Sequence, residues 1–457
     1  MTLRAGAAVA DISPAHPMPL FGYPHVERLS TGIHDPILSS ALYLSNGPEA
    51  LVLIALDVLL IDPPTARSIR CAVARQLSLR EECVLISCTH THSAPVTGGL
   101  LAWRWDAAVP PPDLDYLHRV KERAVESAIQ AAKKAEPAEL AWTRAQVIGV
   151  GGNRLDPSGV TDPEAGILAV RAVGGGPLLA LAAIYGMHPT VLHEDSTLVS
   201  SDFPHYTREE LKERFNAGLT VVYHNGACGN QSPRFFTRGQ TFAEAERLGR
   251  ALGGAIGGAV EKLAKESFRA HVPLRALLRA VELPRRQLPS VRAAEQQFQQ
   301  CRSDYQRLKV ARGESAALRT AECAVFGAEG ARVLARLEEA GEIEKTLAAW
   351  RPVTVQALRI GEACVTGWPG EVFTEYSLEL KHRSSGCAHV VTLVNGQLQG
   401  YIVTPEACSR GGYEALAAVF SPAAGAILVE TTLDLIRALV ATPPLKGEAN
   451  GVVDSCH

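Results

Sequence analysis

The feature that most constrains this chain is a set of short apolar, β-rich runs, each of which stops abruptly at a polar cluster. Leu51 to Leu56 ends at Asp57, Cys83 to Ser87 leads to His90, and Leu178 to Tyr185 leads to His188. Thr220 to Tyr223 runs into Asn225-Gly226-Ala227-Cys228-Gly229, Ala363 to Thr366 into Pro369-Gly370-Glu371, and Val390 to Val394 into Asn395-Gly396. Helical patterns lie between several of them, for instance Asp115 to Ala135 and Phe242 to Lys265, so strands alternate with helices as in α/β domains. Polar groups gathered at strand ends are where open α/β sheets build their sites. With 457 residues, 47% of them hydrophobic, the chain can bury one large interior or two.

One segment breaks the pattern. From Ser290 to Val310 the apolar positions Val291, Ala294, Phe298, Cys301, Tyr305 and Leu308 make one helical stripe. A second helical stretch, from about Glu314 to Ala340, follows Gly313. The pair is predicted to be a helical hairpin inserted between strands at about 287–345, foremost a packing or dimerisation arm and secondarily a lid over the site. Through it a homodimer is a possible partner state. Arg285-Arg286 just before it read as a solvated surface pair, and the glycines at 249, 253, 254, 257 and 258 predict a helix packed closely on its neighbour. A tail is expected at 442–457 and a single domain over 1–441.

Composition excludes several classes. Lys+Arg of 45 against Asp+Glu of 48 gives a net charge of −3 with no basic stripe, so nucleic acid is not an expected partner. The apolar run Ala50 to Ile61 is interrupted by Asp57 and falls short of the roughly 18–20 residues of a membrane span, so no transmembrane segment is expected. Met1 to Pro14 shows no charged segment followed by an apolar core, which predicts a cytoplasmic protein. The ten cysteines are scattered, without paired CxxC spacing, and read mostly as reduced, buried small hydrophobes. Cys88 and Cys228 stand inside polar motifs and leave a thiol role open.

The sharpest local signal is Cys88-Thr89-His90-Thr91-His92-Ser93-Ala94-Pro95. Two imidazoles at i and i+2 in extended backbone point the same way and can converge on one ion. His188 follows another apolar run, and His193, Glu194 and Asp195 come soon after. Catalytic zinc sites take about three N and O ligands and keep a position open. Here the carboxylate could be Glu194, Asp195, Asp202 or Glu371, and spacing does not choose. The turn Gly226 to Pro233 could present backbone N–H groups and Ser232 to a substrate. GxSxG, P-loop, GxGxxG and HExxH motifs are absent from the sequence, which sets aside the common serine hydrolases, NTPases, dinucleotide enzymes and zincins.

The ordered set Gly32-Ile33-His34, Thr89-His90-Thr91-His92-Ser93, Asn153-Arg154, His188-Pro189-Thr190, Ser232-Pro233, Pro369-Gly370-Glu371 and Tyr401-Ile402 resembles the neutral ceramidase family from Ala8 to about Glu414. The resemblance implies a mixed β-sheet core flanked by helices. It also implies a Zn2+ site of two histidines, a glutamate and a tyrosine, which correspond here to His90, His188, Glu371 and Tyr401. His92 and Arg154 match the residues beside the metal that handle substrate and protons, and Ser232 matches a catalytic or positioning serine. On that reading zinc brings the pKa of bound water to about 7 and polarises the scissile carbonyl. Tyr401 and Arg154 face the developing oxyanion, a role worth about 3–4 kcal/mol per donor, and His92 delivers a proton to the leaving nitrogen.

Departures from the family lie on loops that face substrate. Ser93-Ala94-Pro95 stands for Ser-Gly-Pro, Asn153-Arg154-Leu155-Asp156-Pro157 for a tighter Asn-Arg-Ser-Pro, and Gly229-Asn230-Gln231-Ser232 for a Gly-Asp-Val-Ser type loop. No leader and no C-terminal Ig-like domain are expected, unlike in secreted ceramidases. The function predicted is zinc-dependent hydrolysis of an N-acyl amide, ceramide-like or smaller and soluble. The alternatives are a zinc hydrolase of an ester, lactone or sugar-derived substrate, and an inactive metal-binding scaffold. With 6% aromatic residues and no membrane-docking helix in view, composition does not favour a substrate embedded in a bilayer.

Overall fold

The computed structural model describes residues 1–312 and 315–441. Eight strands build the larger sheet: β1 (Arg4–Asp11), β2 (Leu38–Ser45), β3 (Ala50–Leu56), β4 (Val84–Cys88), β5 (Glu136–Gln146), β6 (Glu164–Ala172), β7 (Leu178–Tyr185) and β8 (Thr220–Asn225). Their spatial order is β8-β7-β6-β5-β1-β2-β3-β4. The centre is antiparallel, while β3–β4 and β7–β8 at the two edges are parallel. A second sheet, β9 (Leu274–Val281), β10 (Val353–Ile360), β11 (Ala363–Gly367) and β12 (Ala388–Val391), is antiparallel except for its parallel β11–β12 pair. The architecture is therefore α/β with a mixed sheet core, as the sequence predicts.

The two sheets lie face to face, which is why the apolar runs lack polar alternation. Every residue of β3 is buried. Val52, Ile54 and Leu56 pack on helices, whereas Leu51, Leu53 and Ala55 join Leu274, Leu358 and Val365 of the second sheet. A strand with period two and both faces covered must be apolar at every position. Helices α1 (Pro63–Leu77), α2 (Leu114–Lys133), α3 (Phe203–Arg214) and α4 (Phe242–Glu261) cover the outer face of the larger sheet. Each starts at a side-chain cap, Asp62, Asp113, Asp202 or Thr241, which accepts an otherwise unpaired backbone N–H. On α4 a Cβ at Gly249, Gly253 or Gly257 would sit within 2.7 Å of α3 atoms, so these glycines serve the close helix packing expected of them.

The inserted segment is three helices rather than a hairpin of two: α5 (Val291–Val310), α6 (Ser315–Glu339) and α7 (Glu342–Trp350). The turn expected at Gly313-Glu314 and the tail at 442–457 lie outside the described residues. The predicted stripe on α5 is the buried side of that helix, with Phe298 packed against Ala328 and Ala331 of α6 and Leu416. Gly327 of α6 brings that helix onto Tyr413, where a Cβ would lie 2.8 Å from the Cα. Arg285 and Arg286 are not a solvated pair. Arg285 is bonded to Glu338, and Arg286 donates to the Ala415 carbonyl, so the two fasten the start of the insert to the body. Helix α8 (Thr374–Arg383) and the C-terminal helix Ala423–Ala441 cover the outer face of the second sheet. No helix among the described residues is long and apolar enough to cross a membrane.

One buried ion pair ties the end of a strand to the helix layer. Arg208 of α3 donates to both oxygens of Asp57, just past β3, at 2.8 and 2.7 Å, and Asp57 also accepts the Leu38 N–H. Arg208→Met would leave the Asp57 carboxylate buried without its counter-charge. The expected loss is about 3–5 kcal/mol in urea unfolding, with a smaller loss for Arg208→Lys.

Candidate active site

The polar clusters behind the strands meet at one end of the two sheets. Beyond β4 the chain turns at His90, whose φ of 71° is left-handed rather than extended. Backbone bonds from Thr89 to the Leu56 carbonyl and from His90 to the Val58 carbonyl hold that turn, at 2.8 and 3.1 Å. The extended geometry read from the His-Thr-His spacing therefore does not occur, yet the rings still converge, with the His90 and His92 centroids 5.1 Å apart. His188, beyond β7, brings its ring centroid to 4.7 Å from that of His90. Ring nitrogens of His90, His92 and His188 all lie within 4.8 Å of one another.

Hydrogen bonds define the tautomers. His90 Nδ1 is 2.8 Å from the Leu59 carbonyl. His188 Nδ1 is 2.8 Å from the Cys228 carbonyl and 3.0 Å from that of Gln231. A carbonyl only accepts, so both Nδ1 atoms carry the proton and both Nε2 atoms present lone pairs. Those lone pairs point at a third acceptor, Glu371 Oε2, 3.2 Å from His90 Nε2 and 3.1 Å from His188 Nε2. Burial and the charge of Arg154 pull the His188 pKa down to about 4, so it is neutral at pH 7. An acceptor-only convergence of two imidazoles and a carboxylate is a donor set for a divalent cation, and carbonyl-bonded Nδ1 atoms are the usual support of such ligands.

Glu371 reaches this point from the second sheet through a short parallel bridge, Glu371–Val372 with Tyr401–Ile402, in which Glu371 pairs with Tyr401. The Arg154 guanidinium lies over the Tyr401 ring at 5.4 Å. Its Nε donates to Glu414 at 2.8 Å and a terminal nitrogen donates to the Gly229 carbonyl at 2.9 Å. Burial and the Glu371 charge push the Tyr401 hydroxyl pKa well up, keeping it a neutral donor. Ser232 sits opposite Gly152 in another short bridge and lines the same cavity. Its Oγ accepts the Arg234 N–H at 3.2 Å.

Of the four carboxylates that spacing leaves open, only Glu371 faces the histidines. Glu194 binds Arg319 and His193, and Asp195 is exposed. Asp202 caps α3 and accepts the Leu192 N–H, with burial raising its pKa to about 7. Cys88 and Cys228 are fully buried thiols. Burial raises the first to about 12, and burial and Glu371 raise the second further, so neither is a thiolate at neutral pH.

Above the cluster opens a cavity of about 440 Å³. Its lining includes Tyr23, Leu59, Trp103 and, from α6, Arg319, Thr320, Cys323 and Phe326. The inserted helix is thus a wall of the cavity as well as a packing arm. Arg319 bonds Glu194 and His193 in the loop after His188, and Phe326 stacks on His25 at 5.1 Å. The insert's secondary reading, a lid over the site, matches this position, whereas sequence reasoning missed Glu414 and Tyr413, because no spacing links them to the histidine motifs.

The first half of the chain decides the family: the model for the neutral/alkaline non-lysosomal ceramidase N-terminal region matches residues 3–235. The chain belongs to this family. Its members are hydrolases of amide bonds. Two solved structures are similar to it, a ceramidase complexed with C2 and the neutral ceramidase from Pseudomonas aeruginosa. The first is 16% identical with a TM-score of 0.74 and the second 17% with 0.73, each over 100% of this chain and 78% and 77% of the other. At those identities the likeness is one of fold. No curated protein matches the sequence. Within this ceramidase fold the stretch matched by the family model holds His90, His92, Arg154, His188 and Ser232, while Glu371 and Tyr401 come from the part beyond it.

The thiol result is testable. Iodoacetamide at pH 7.5 should leave Cys88 and Cys228 unlabelled in the folded protein and label them only after denaturation, as read by peptide mass spectrometry. The less buried Cys301, Cys387 and Cys408 should be labelled ahead of both.

Proposed function

We propose that this chain is a zinc-dependent hydrolase that cleaves an N-acyl amide, with His90, His188 and Glu371 holding the ion and Tyr401 beside them. The observation that carries the reading is the meeting of two Nδ1-protonated imidazoles and a carboxylate at 3.1–3.2 Å, all three offering lone pairs to one point. Nitrogen and oxygen donors in that number suit zinc. Both ring nitrogens of His92 are buried beside this point without a hydrogen-bond partner, which fits a third polar group aimed at a bound ion or reacting substrate. When bound, zinc supplies Lewis-acid polarisation of a carbonyl and a nucleophile from water near neutral pH.

The remaining chemistry belongs to side chains of this protein. Arg154 and the Tyr401 hydroxyl stand together as donors for the negative charge that develops on the acyl oxygen, and Glu414 keeps the guanidinium aimed. His92, with neither nitrogen committed to a carbonyl, takes a proton and delivers it to the leaving nitrogen. Ser232 accepts a backbone N–H, which leaves its own O–H to orient substrate. The cavity also presents Arg234, Thr237, Gln240 and Arg319, which suits an amide with a polar group near the scissile bond. Small soluble N-acyl amides therefore stand beside ceramide as candidate substrates.

Two measurements test this. Elemental analysis of chelator-rinsed protein should give about one zinc per chain in the wild type and in His92→Ala, and far less in His188→Ala or Glu371→Ala. Hydrolysis of a panel of N-acyl amides and matched esters should lose about 10²–10⁴-fold in kcat with His92→Ala. Absence of zinc with no activity on adding it would sink the proposal, and turnover of esters alone would replace the amide by an ester.

A further inference from the structure

His92 is held differently from the other two histidines of the cluster. His90 and His188 are each fixed by an Nδ1–H bond to a main-chain carbonyl, whereas His92 has no hydrogen bond on either nitrogen although both are buried. A ring without such a bond keeps its orientation only through packing and through the backbone that carries it.

That packing comes from a small hairpin over Met18 to Ser30. The Leu20 N–H donates to the Arg28 carbonyl at 2.7 Å, that of Ser30 to the Met18 carbonyl at 2.8 Å, and that of Phe21 to the Ala94 carbonyl of the histidine loop at 2.9 Å. At its tip Gly22 has a φ of 117°, and a Cβ there would lie 2.5 Å from His92 Nδ1 and 2.6 Å from its Cγ. The main chain of Gly22 therefore lies directly against the ring, at a distance only glycine allows. Tyr23 flanks the ring with centroids 5.1 Å apart, and its hydroxyl is tied to the Leu192 carbonyl at 2.8 Å.

Arg28 closes the arrangement. Its guanidinium donates to the carbonyls of Phe21 and His92 at 2.8 Å each and of Ser196 at 3.3 Å, and lies 4.8 Å from the Tyr23 ring. It thus stitches the hairpin, the histidine loop and the loop after His188 together. The residue is 3% exposed, and burial lowers its pKa. A guanidinium is costly to bury when an apolar side chain could fill the same space, so its place here needs a reason in what it aligns.

We infer that Gly22, Tyr23 and Arg28 form a clamp that aims the His92 ring, making Tyr23 and Arg28 positioning residues for the proton delivery proposed above. The inference rests on that reading of His92. Because His90 and His188 have their own hydrogen bonds, the clamp serves turnover and not metal retention. A ring displaced by about 1 Å is expected to lose on the order of 10²-fold in rate.

The test uses Gly22→Ala, Arg28→Met, Tyr23→Leu and Tyr23→Phe in the full chain, with zinc per chain, kcat and KM on the best amide of the panel, and a crystal structure of Gly22→Ala. Zinc content is expected at the wild-type level in all four. Gly22→Ala, Arg28→Met and Tyr23→Leu should lower kcat roughly 10–100-fold with KM changed by less than about twofold. Tyr23→Phe, which keeps the ring, should recover most of what Tyr23→Leu loses. In a His92→Ala background Gly22→Ala should cause no further loss, since the group it misplaces is gone. If Arg28→Met does not fold, Tyr23→Leu carries the test, because it leaves every Arg28 hydrogen bond in place.

Loss of zinc, an unchanged kcat, or an equal loss with and without His92 would each overturn the clamp. Should His92→Ala prove fully active, or the wild type turn over no amide, the functional reading fails instead. The Gly22→Ala crystal structure then decides the clamp alone: a displaced His92 ring upholds it and an unmoved ring overturns it.

Discussion

Glu371 Oε2 lies within 3.2 Å of the Nε2 atoms of both His90 and His188, an approach of three acceptors that repel one another unless a positive charge lies among them, and the rest of the molecule is arranged to bring them there. The histidines come from loops beyond β4 and β7 of the larger sheet, and Glu371 comes from beyond β11 of the smaller one. The cluster exists only because the two sheets stack. Stacking in turn requires strands that are apolar on both faces, and β3, buried at every residue, shows how completely that demand is met. The core and the site are thus one construction: hydrophobic burial supplies the free energy, and the strand ends supply the polar groups.

Around the cluster the hydrogen bonds fall into two kinds. His90 and His188 are locked by carbonyls, which sets their tautomers and leaves Nε2 for an ion. His92 is uncommitted and is shaped by the hairpin that carries Gly22, Tyr23 and Arg28. An Nδ1–H bond to a carbonyl fixes the direction of the Nε2 lone pair, whereas a ring without such a bond is oriented by packing.

The inserted helices add a wall that joins the cavity to the surface chemistry of α6. Arg319 reaches Glu194 and His193, and Gly327 brings α6 onto the short helix Tyr413–Ala417 that supplies Glu414, the partner of Arg154. Through these contacts the insert touches both the loop after His188 and the helix that carries the Glu414 partner of Arg154.

Much of this was legible in the chain itself. Apolar runs ending at polar clusters determined the α/β class and the location of the site, because burial on both faces leaves no room for polar alternation and functional groups collect where strands end. The stripe on α5 determined that helix, and the ordered motifs determined the family. Spacing leaves Glu194, Asp195, Asp202 and Glu371 equivalent and only the family motif singles out Glu371, whereas the stacking of one sheet on another is what physically brings that carboxylate to the histidines. Tertiary structure alone decided the left-handed turn at His90, which a His-Thr-His spacing read as a strand does not disclose, and the anchoring of half-buried Arg286, whose acceptor is a carbonyl 129 residues away. Local pattern reports period and burial along one segment; which segments meet is settled by long-range packing, which no single segment encodes.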